Sequence, residues 1–215
     1  MARRVYGWLP RRHDGVSVSR VLHFDEPAAA IAAIRRLQRW IVTFTGFSGG
    51  GYEDPRFLER VTSQQLACFD PARTTICSGA TADGIGSIYP LAKIRGFDTI
   101  GIVSSVAETD GVRYSDCVDI VYVIKDETWG GLRTDAENTL RPTSEVMVAT
   151  ADEMIAIGGG EVAYEEVREA LERDKNVRYV PAEMNHAAAI QRAARNGEPS
   201  PVNFKGRVDS LFMTT

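Results

Sequence analysis

The chain has 215 residues, 44% hydrophobic and 25% charged, which suits one large soluble α/β domain with a full core and is short for two. Its net charge of −4 speaks against a protein that coats nucleic acid or an anionic membrane, because both partners select a basic surface. Cys68, Cys77 and Cys117 are odd in number and lack C-x-x-C spacing, which argues against a disulfide framework and a thiolate zinc site.

In chain order, Arg3, Arg4, Arg11 and Arg12 come first, in a stretch that reads as solvated chain rather than a nucleic-acid arm. The same opening, "MARRVYGWLPRRHDG", lacks the apolar core of a signal peptide, and no later run reaches bilayer-spanning length. The expected compartment is the cytoplasm, with no membrane partner. "SRVLHFD" and "PAAAIAAIRRLQRW" read as a first strand and helix. "WIVTFTGF", Trp40 to Phe47, is a buried strand running into the glycine-rich turn "SGGG". "DPRFLERVTSQQLACF" has helical spacing, with Phe57, Leu58, Val61 and Leu66 on its apolar side and Asp54 as N-cap before Pro55. "TTICSG" is the next strand, and "GSIYPLAKIRG" a helix ending at Gly96, with Pro90 in its first turn or kinking it. Cys68 and Cys77 read as small core residues. "DTIGIVSS" and "DIVYVIKD" are strands, and 127–139 is a loop. "SEVMVATA" is a helix leading into the strand "MIAIGGG", followed by the amphipathic helix "VAYEEVREALERD". "NVRYVPA" is a last strand, "NHAAAIQRAARNG" a last helix closed by Gly197, and the tail after it is weakly patterned. No internal repeat or low-complexity linker interrupts the chain.

Strands alternating with helices predict a mostly parallel sheet with helices on both faces. Such sheets take ligands at the C-terminal ends of their strands. Three glycine-rich turns fall there, after Phe44, Cys77 and Ile157, and are expected to lie side by side around one crevice.

Glycine lets backbone N–H groups approach an anion, and a helix start directly afterwards adds donors and the positive dipole end. "GGGEVAYEEV" supplies Gly158, Gly159 and Gly160, then a helix from about Glu161. A tight turn with acidic residues at a helix start is the competing reading. No G-K-[ST] follows, which excludes a Walker A loop, and no acidic residue closes "TTICSG" as a dinucleotide fingerprint requires. The expected ligand is therefore a phosphate or the ribose of a nucleotide-like molecule. Its candidate contacts are Gly46, Phe47, Ser48 and Gly49, then Ser78, Gly79, Ala80, Thr81 and Asp83, then Gly158, Gly159, Gly160, Glu161 and Val162. Asp83 either faces the crevice or caps the following helix. If the φ of Gly159 is negative, a methyl group there obstructs the ligand and spares the fold.

His13, His23 and His186 are scattered, so no metal is expected, and Ser48 and Ser78 lack a triad arrangement. Their hydroxyls suit phosphate or ribose contacts. Trp129 and Tyr89 have rings that stack on a base or fill the core.

The pair "SGATADGIGSIYPLAKIRG" and "ADEMIAIGGGEVAYEE" resembles the SLOG superfamily of Rossmann-like nucleotide-binding domains. That group includes the Lonely Guy phosphoribohydrolases, the DNA-processing protein A fold and the N-terminal domains of TRPM channels. Its enzymes carry G-G-G-x-x-G-L-M-G; "SGATADGIG" fills those positions with Gly79 and Gly86 retained, and "TIGIVSS" supplies the following strand. They also carry A-D-A-F-I-A-L-P-G-G-x-G-T-x-x-E, of which Ala151, Asp152, Gly159, Gly160 and Glu166 are kept. Val162 and Ala163 replace the phosphate-contacting Gly-Thr, and Gly158 replaces proline. The hydrolases' arginine aligns with Thr143; Arg141 lies two residues earlier. The pattern looks closest to bacterial single-domain relatives of the TRPM domain.

The resemblance implies one domain over 1–215 with a core of about 40–182. It also implies a Rossmann-like fold, no cofactor, and a nucleoside monophosphate or ADP-ribose-like ligand. In the hydrolase form of that reading the N-glycosidic bond is cleaved, Glu166 is the carboxylate at the ribose and Arg141 the cation on the phosphate. Glu161 and Glu165 stand nearby, and "EEVREALER" read as a solvated face is the alternative for Glu165 and Glu166. The competing function is a non-catalytic nucleotide sensor. Domains of this superfamily commonly dimerise, which implies a homodimer burying apolar residues near Ile88 and Leu91.

Overall fold

The computed structural model of the chain describes residues 20–131 and 139–213. The N-terminal arginines, His13 and most of the 127–139 loop lie outside them. The strands are β1 (Arg20–Phe24), β2 (Trp40–Gly46), β3 (Thr74–Ser78), β4 (Asp98–Ser104), β5 (Ile120–Ile124), β6 (Glu153–Ile157) and β7 (Asn176–Val180). The helices are α1 (Pro27–Arg35), α2 (Pro55–Leu66), α3 (Ile88–Ile94), α4 (Val106–Thr109), α5 (Pro142–Thr150), α6 (Glu161–Glu172), α7 (His186–Asn196) and α8 (Asp209–Phe212).

One seven-stranded sheet runs in the order β1-β5-β4-β3-β2-β6-β7, and every neighbouring pair is parallel. Alternation along the strands sends Val42, Phe44, Ile76, Val103, Val121 and Ile155 to a core shared with α2, α3 and α4. Ile41, Cys77, Ile102 and Tyr122 point the other way, toward α1 and α5. Met154 and Ala156 join Val148, Ala163 and Val167 of α5 and α6. Burial on both faces is why these strands read as continuous apolar runs.

From β2 the chain steps through β3, β4 and β5 to one side; β6 and β7 lie on the other. The order therefore reverses between β2 and β6, where their carboxyl ends open a crevice. Asp152 anchors that junction from below, accepting Ile41 N–H at 2.8 Å and Arg35 Nη1 at 2.7 Å. The expected caps form: Asp54 accepts from Phe57 N–H, and Asn185 from Ala188 N–H.

Two local expectations are corrected, and two details are added. α1 stops at Arg35, because Gln38 turns at φ +52° and Trp40 already belongs to β2. Cys68 is exposed, since α2 has ended and the chain is leaving the core. Ile88 is fully buried against the sheet within its own chain, while Leu91 is partly buried and Ile94 of the same helix is exposed. The tail after Gly197 packs: Phe204 stacks on His186, Tyr179 donates to Asp209, and α8 closes over β7 through a Tyr179–Phe212 stack.

Candidate functional site

The turns after β2 and β6 are locked together by one side chain. The Tyr52 hydroxyl donates to the Ile157 carbonyl at 2.8 Å and accepts Phe47 N–H at 3.2 Å. Burial pushes its pKa well above the ordinary tyrosine value, so the hydroxyl keeps its proton. A Cβ on Gly46 would strike that hydroxyl and lie 2.6 Å from the Ile157 carbonyl, which makes glycine obligatory there.

What opposes the first two glycines of the β6 turn is the protein itself. Gly158 sits at φ +56°, and a Cβ on it would meet the Phe47 ring and, at 3.0 Å, the Ala182 carbonyl. Its N–H is already given to the Val180 carbonyl at 2.9 Å. Gly159 sits at φ +136°, where a Cβ would lie 2.7 Å from Val208 and 2.8 Å from Ala163. The premise of a negative φ at Gly159 is therefore overturned, and a methyl group there strains the fold before it reaches a ligand. Gly160 differs. At φ −88° it caps α6 with no side-chain partner, and nothing lies within 4 Å of its missing Cβ. The open helix start is at this residue.

Two adjoining spaces lie over these turns. The larger, about 740 Å³, lies between the 46–51 turn, the start of α6 from Gly160 to Ala163, and the α7 face carrying Arg192 and Arg195. Neither arginine pairs with a carboxylate within the described residues; Arg192 Nη2 only approaches Met184 Sδ at 3.8 Å. The smaller, about 160 Å³, crosses the ends of β2, β3 and β4 and is lined by Ser78, Gly79, Thr81, Trp129, Thr143 and Glu166, among others. Gly46, Ser48, Val162 and Ala163 border both.

Glu166 forms part of the smaller space although it belongs to an acidic run. Its neighbours Ala163, Val167 and Ala170 form the buried stripe of α6, and Glu166 falls on that stripe at 4% exposure. Glu165, one position earlier, is largely buried and pairs with Arg168 at 2.9 Å. Ser144 Oγ donates to Glu166 Oε1 at 2.9 Å and Thr45 Oγ1 to Oε2 at 3.0 Å. Burial pushes the Glu166 pKa up to about 7, against the pull of those two donors. A carboxyl poised there exchanges a proton at neutral pH.

Gly46, Ser48, Gly49, Ser78, Gly79, Thr81, Gly160, Glu161, Val162 and Glu166 come together around the two spaces. Phe47 touches the larger one, yet its ring is buried edge-on to Tyr52 with centroids 5.3 Å apart. Ala80 is fully buried at φ +64°, Asp83 is exposed and makes no cap, and Arg141 lines neither space. The Arg141 N–H instead joins the Gly131 carbonyl at 2.7 Å. Glu161 is engaged by Arg207 from the tail. Of the two candidate aromatics, Tyr89 is fully buried and Trp129 is 44% exposed at the crevice.

Sequence reasoning missed Asp126, Arg192 and Arg195. Asp126 follows β5 and is 6% exposed. Its Oδ2 accepts Thr143 N–H at 3.0 Å and Thr143 Oγ1 at 2.8 Å, capping α5, while Oδ1 accepts from Thr128 N–H and Oγ1, both at 3.0 Å. A carboxylate after a strand and ahead of Thr-Ser at a helix start was the available signal. Among the described residues no group of three or more His, Cys, Asp or Glu side chains is placed to hold a metal ion, and no helix is long and apolar enough to cross a membrane.

The parallel order, the reversal between β2 and β6 and the glycine turns above it define a Rossmann-like α/β domain. The chain is similar to several solved structures. The molybdenum cofactor binding protein from the phototrophic bacterium Rippkaea orientalis is 19% identical over 79% of this chain and 92% of its own, with a TM-score of 0.50. The molybdenum cofactor carrier protein from Chlamydomonas reinhardtii is 22% identical over 66% and 76%, with a TM-score of 0.48. DNA processing protein A from Streptococcus pneumoniae is 14% identical over 83% and 63%, with a TM-score of 0.45. No protein-family model matches the chain, and no curated protein matches it by sequence.

Proposed function

We propose that the chain binds a nucleoside monophosphate or an ADP-ribose-like derivative at the reversal between β2 and β6. The phosphate lies against Gly160 and the N–H groups opening α6, where the helix dipole favours an anion. Arg192 and Arg195 of α7 line the same space. The ribose crosses Gly46 toward Glu166. The observation that carries the reading is the buried Glu166 carboxyl, held by Thr45 and Ser144 in the smaller space, beside the larger space that reaches the open start of α6.

The reaction this arrangement serves is hydrolysis of the N-glycosidic bond. Water adds to the ribose C1′, the bond to the base breaks, and a proton passes to the departing base. Glu166 in its charged form stabilises the positive ribose and takes a proton from water. A second reading, a non-catalytic sensor, has its own observation. Thr143 stands where the hydrolases carry arginine, its hydroxyl and N–H are both given to Asp126, and Arg141 does not replace it.

The test pairs calorimetric binding of a nucleotide panel with chromatography of released base, on wild type and Glu166→Gln. The shared fold with molybdenum cofactor proteins adds that cofactor to the panel. The hydrolase reading expects base release by wild type and none by the variant, with binding retained. Binding without release by either protein favours the sensor. No binding by wild type ends both.

A further inference from the structure

We infer that Trp129 is the platform on which the planar heteroaromatic ring of the ligand stacks, an assignment that rests on the nucleotide reading above. The turn carrying it is built for rigidity. Thr128 is tied to Asp126 by its N–H and its hydroxyl, and Thr128 Oγ1 accepts Gly130 N–H at 3.3 Å. Gly131 N–H donates to Ser144 Oγ at 2.8 Å, and its carbonyl accepts Arg141 N–H at 2.7 Å. Gly130 and Gly131 sit at φ +107° and +89°, and a Cβ on Gly130 would lie 2.6 Å from Ser144 Oγ. A segment tied this closely fixes one large ring in place.

The core does not use that ring. Trp129 is 44% exposed, and among the described residues no aromatic ring or cation stacks on it. Trp129 instead lines the 160 Å³ crevice that Glu166 also lines. An uncovered aromatic ring and a buried carboxyl around one space are what a nucleoside satisfies together, its ring on the indole and a sugar hydroxyl at Glu166. Stacking reads the π-face, which every base has, so Trp129 selects for a ring without selecting which one.

The test uses three probes on wild type, Trp129→Ala and Trp129→Phe: AMP, ribose 5-phosphate, and adenosine. Calorimetry gives affinity, and quenching of intrinsic fluorescence gives contact with the indole. Wild type should bind AMP about tenfold or more tighter than ribose 5-phosphate, within the range that base stacking supplies. Trp129→Ala should lose that advantage and leave ribose 5-phosphate binding unchanged, while Trp129→Phe retains most of it. Adenosine should quench wild type and not Trp129→Ala. Equal weakening of AMP and ribose 5-phosphate in Trp129→Ala, or no change in either, overturns the platform and leaves the phosphate reading standing. Adenosine quenching that depends on Trp129, with no binding of ribose 5-phosphate and no gain from the phosphate of AMP, supports the platform and removes the phosphate reading. No binding of any probe by wild type overturns both.

Discussion

The Thr45 hydroxyl donates to Glu166 Oε2 at 3.0 Å, joining residues 121 positions apart across the point where the sheet order reverses. With Ser144 on the other oxygen, the carboxyl has no cation at hydrogen-bond distance among the described residues. Burial favours the neutral acid over the pull of the two hydroxyls, and the pKa rises from 4.5 to about 7.

The sign of the pH effect follows. Between about pH 4.5 and 7 the folded chain holds a proton that the unfolded chain has lost. Stability contributed by this group is present at the acid end and is lost as pH rises through that window, on the order of 3 kcal/mol in all. Urea midpoints for wild type should fall between pH 5 and 8 more steeply than those of Glu166→Gln. Parallel slopes for the two proteins contradict the assignment.

Gly159→Ala should destabilise the fold by about 2–4 kcal/mol, combining a φ of +136° with contacts to Val208 and Ala163. Urea denaturation measures this with no ligand present. A loss below roughly 0.5 kcal/mol would show that the tail does not press on this turn.

Tyr52→Phe should cost about 1–3 kcal/mol, because the Ile157 carbonyl and Phe47 N–H lose their buried partner. The same variant should loosen the two turns, raising amide exchange at Phe47. Unchanged exchange would mean that the Tyr52 hydroxyl does not hold them together.

Arg192→Ala with Arg195→Ala should weaken binding of a phosphate-bearing probe and flatten its salt dependence, while stability stays within about 0.5 kcal/mol for these exposed side chains. Calorimetry of AMP at two salt concentrations reads both effects. An unchanged salt slope removes the arginines from the site.

The sheet was legible because strands buried on both faces are continuous apolar runs, and the turns after Phe44, Cys77 and Ile157 do stand on adjacent strands. The glycine run was harder to read. Sequence shows that a side chain is barred at Gly158 and Gly159 but not by what; the answer came from Phe47, Ala182 and Val208, which tertiary packing alone brings there. Glu166 hid inside "EEVREALER", where only the Ala163, Val167 and Ala170 stripe distinguishes it from Glu165, which pairs with Arg168. Arg141 looked adjacent to the required arginine by counting, yet its place at the α5 N-cap keeps it outside both spaces. Asp126 escaped because its role depends on Thr128 and Thr143 folding back onto it from both sides.

Gly160 is the one glycine of the three whose missing side chain faces open space. The central claim is that the anion of a nucleotide rests there. Calorimetric titration of AMP into wild type and Gly160→Ala, with urea midpoints measured in parallel, tests it most directly. The account predicts binding by wild type, a loss of about tenfold or more in the variant, on the scale of one charge-assisted hydrogen bond, and urea midpoints that coincide. Equal AMP affinity in the two proteins would contradict it.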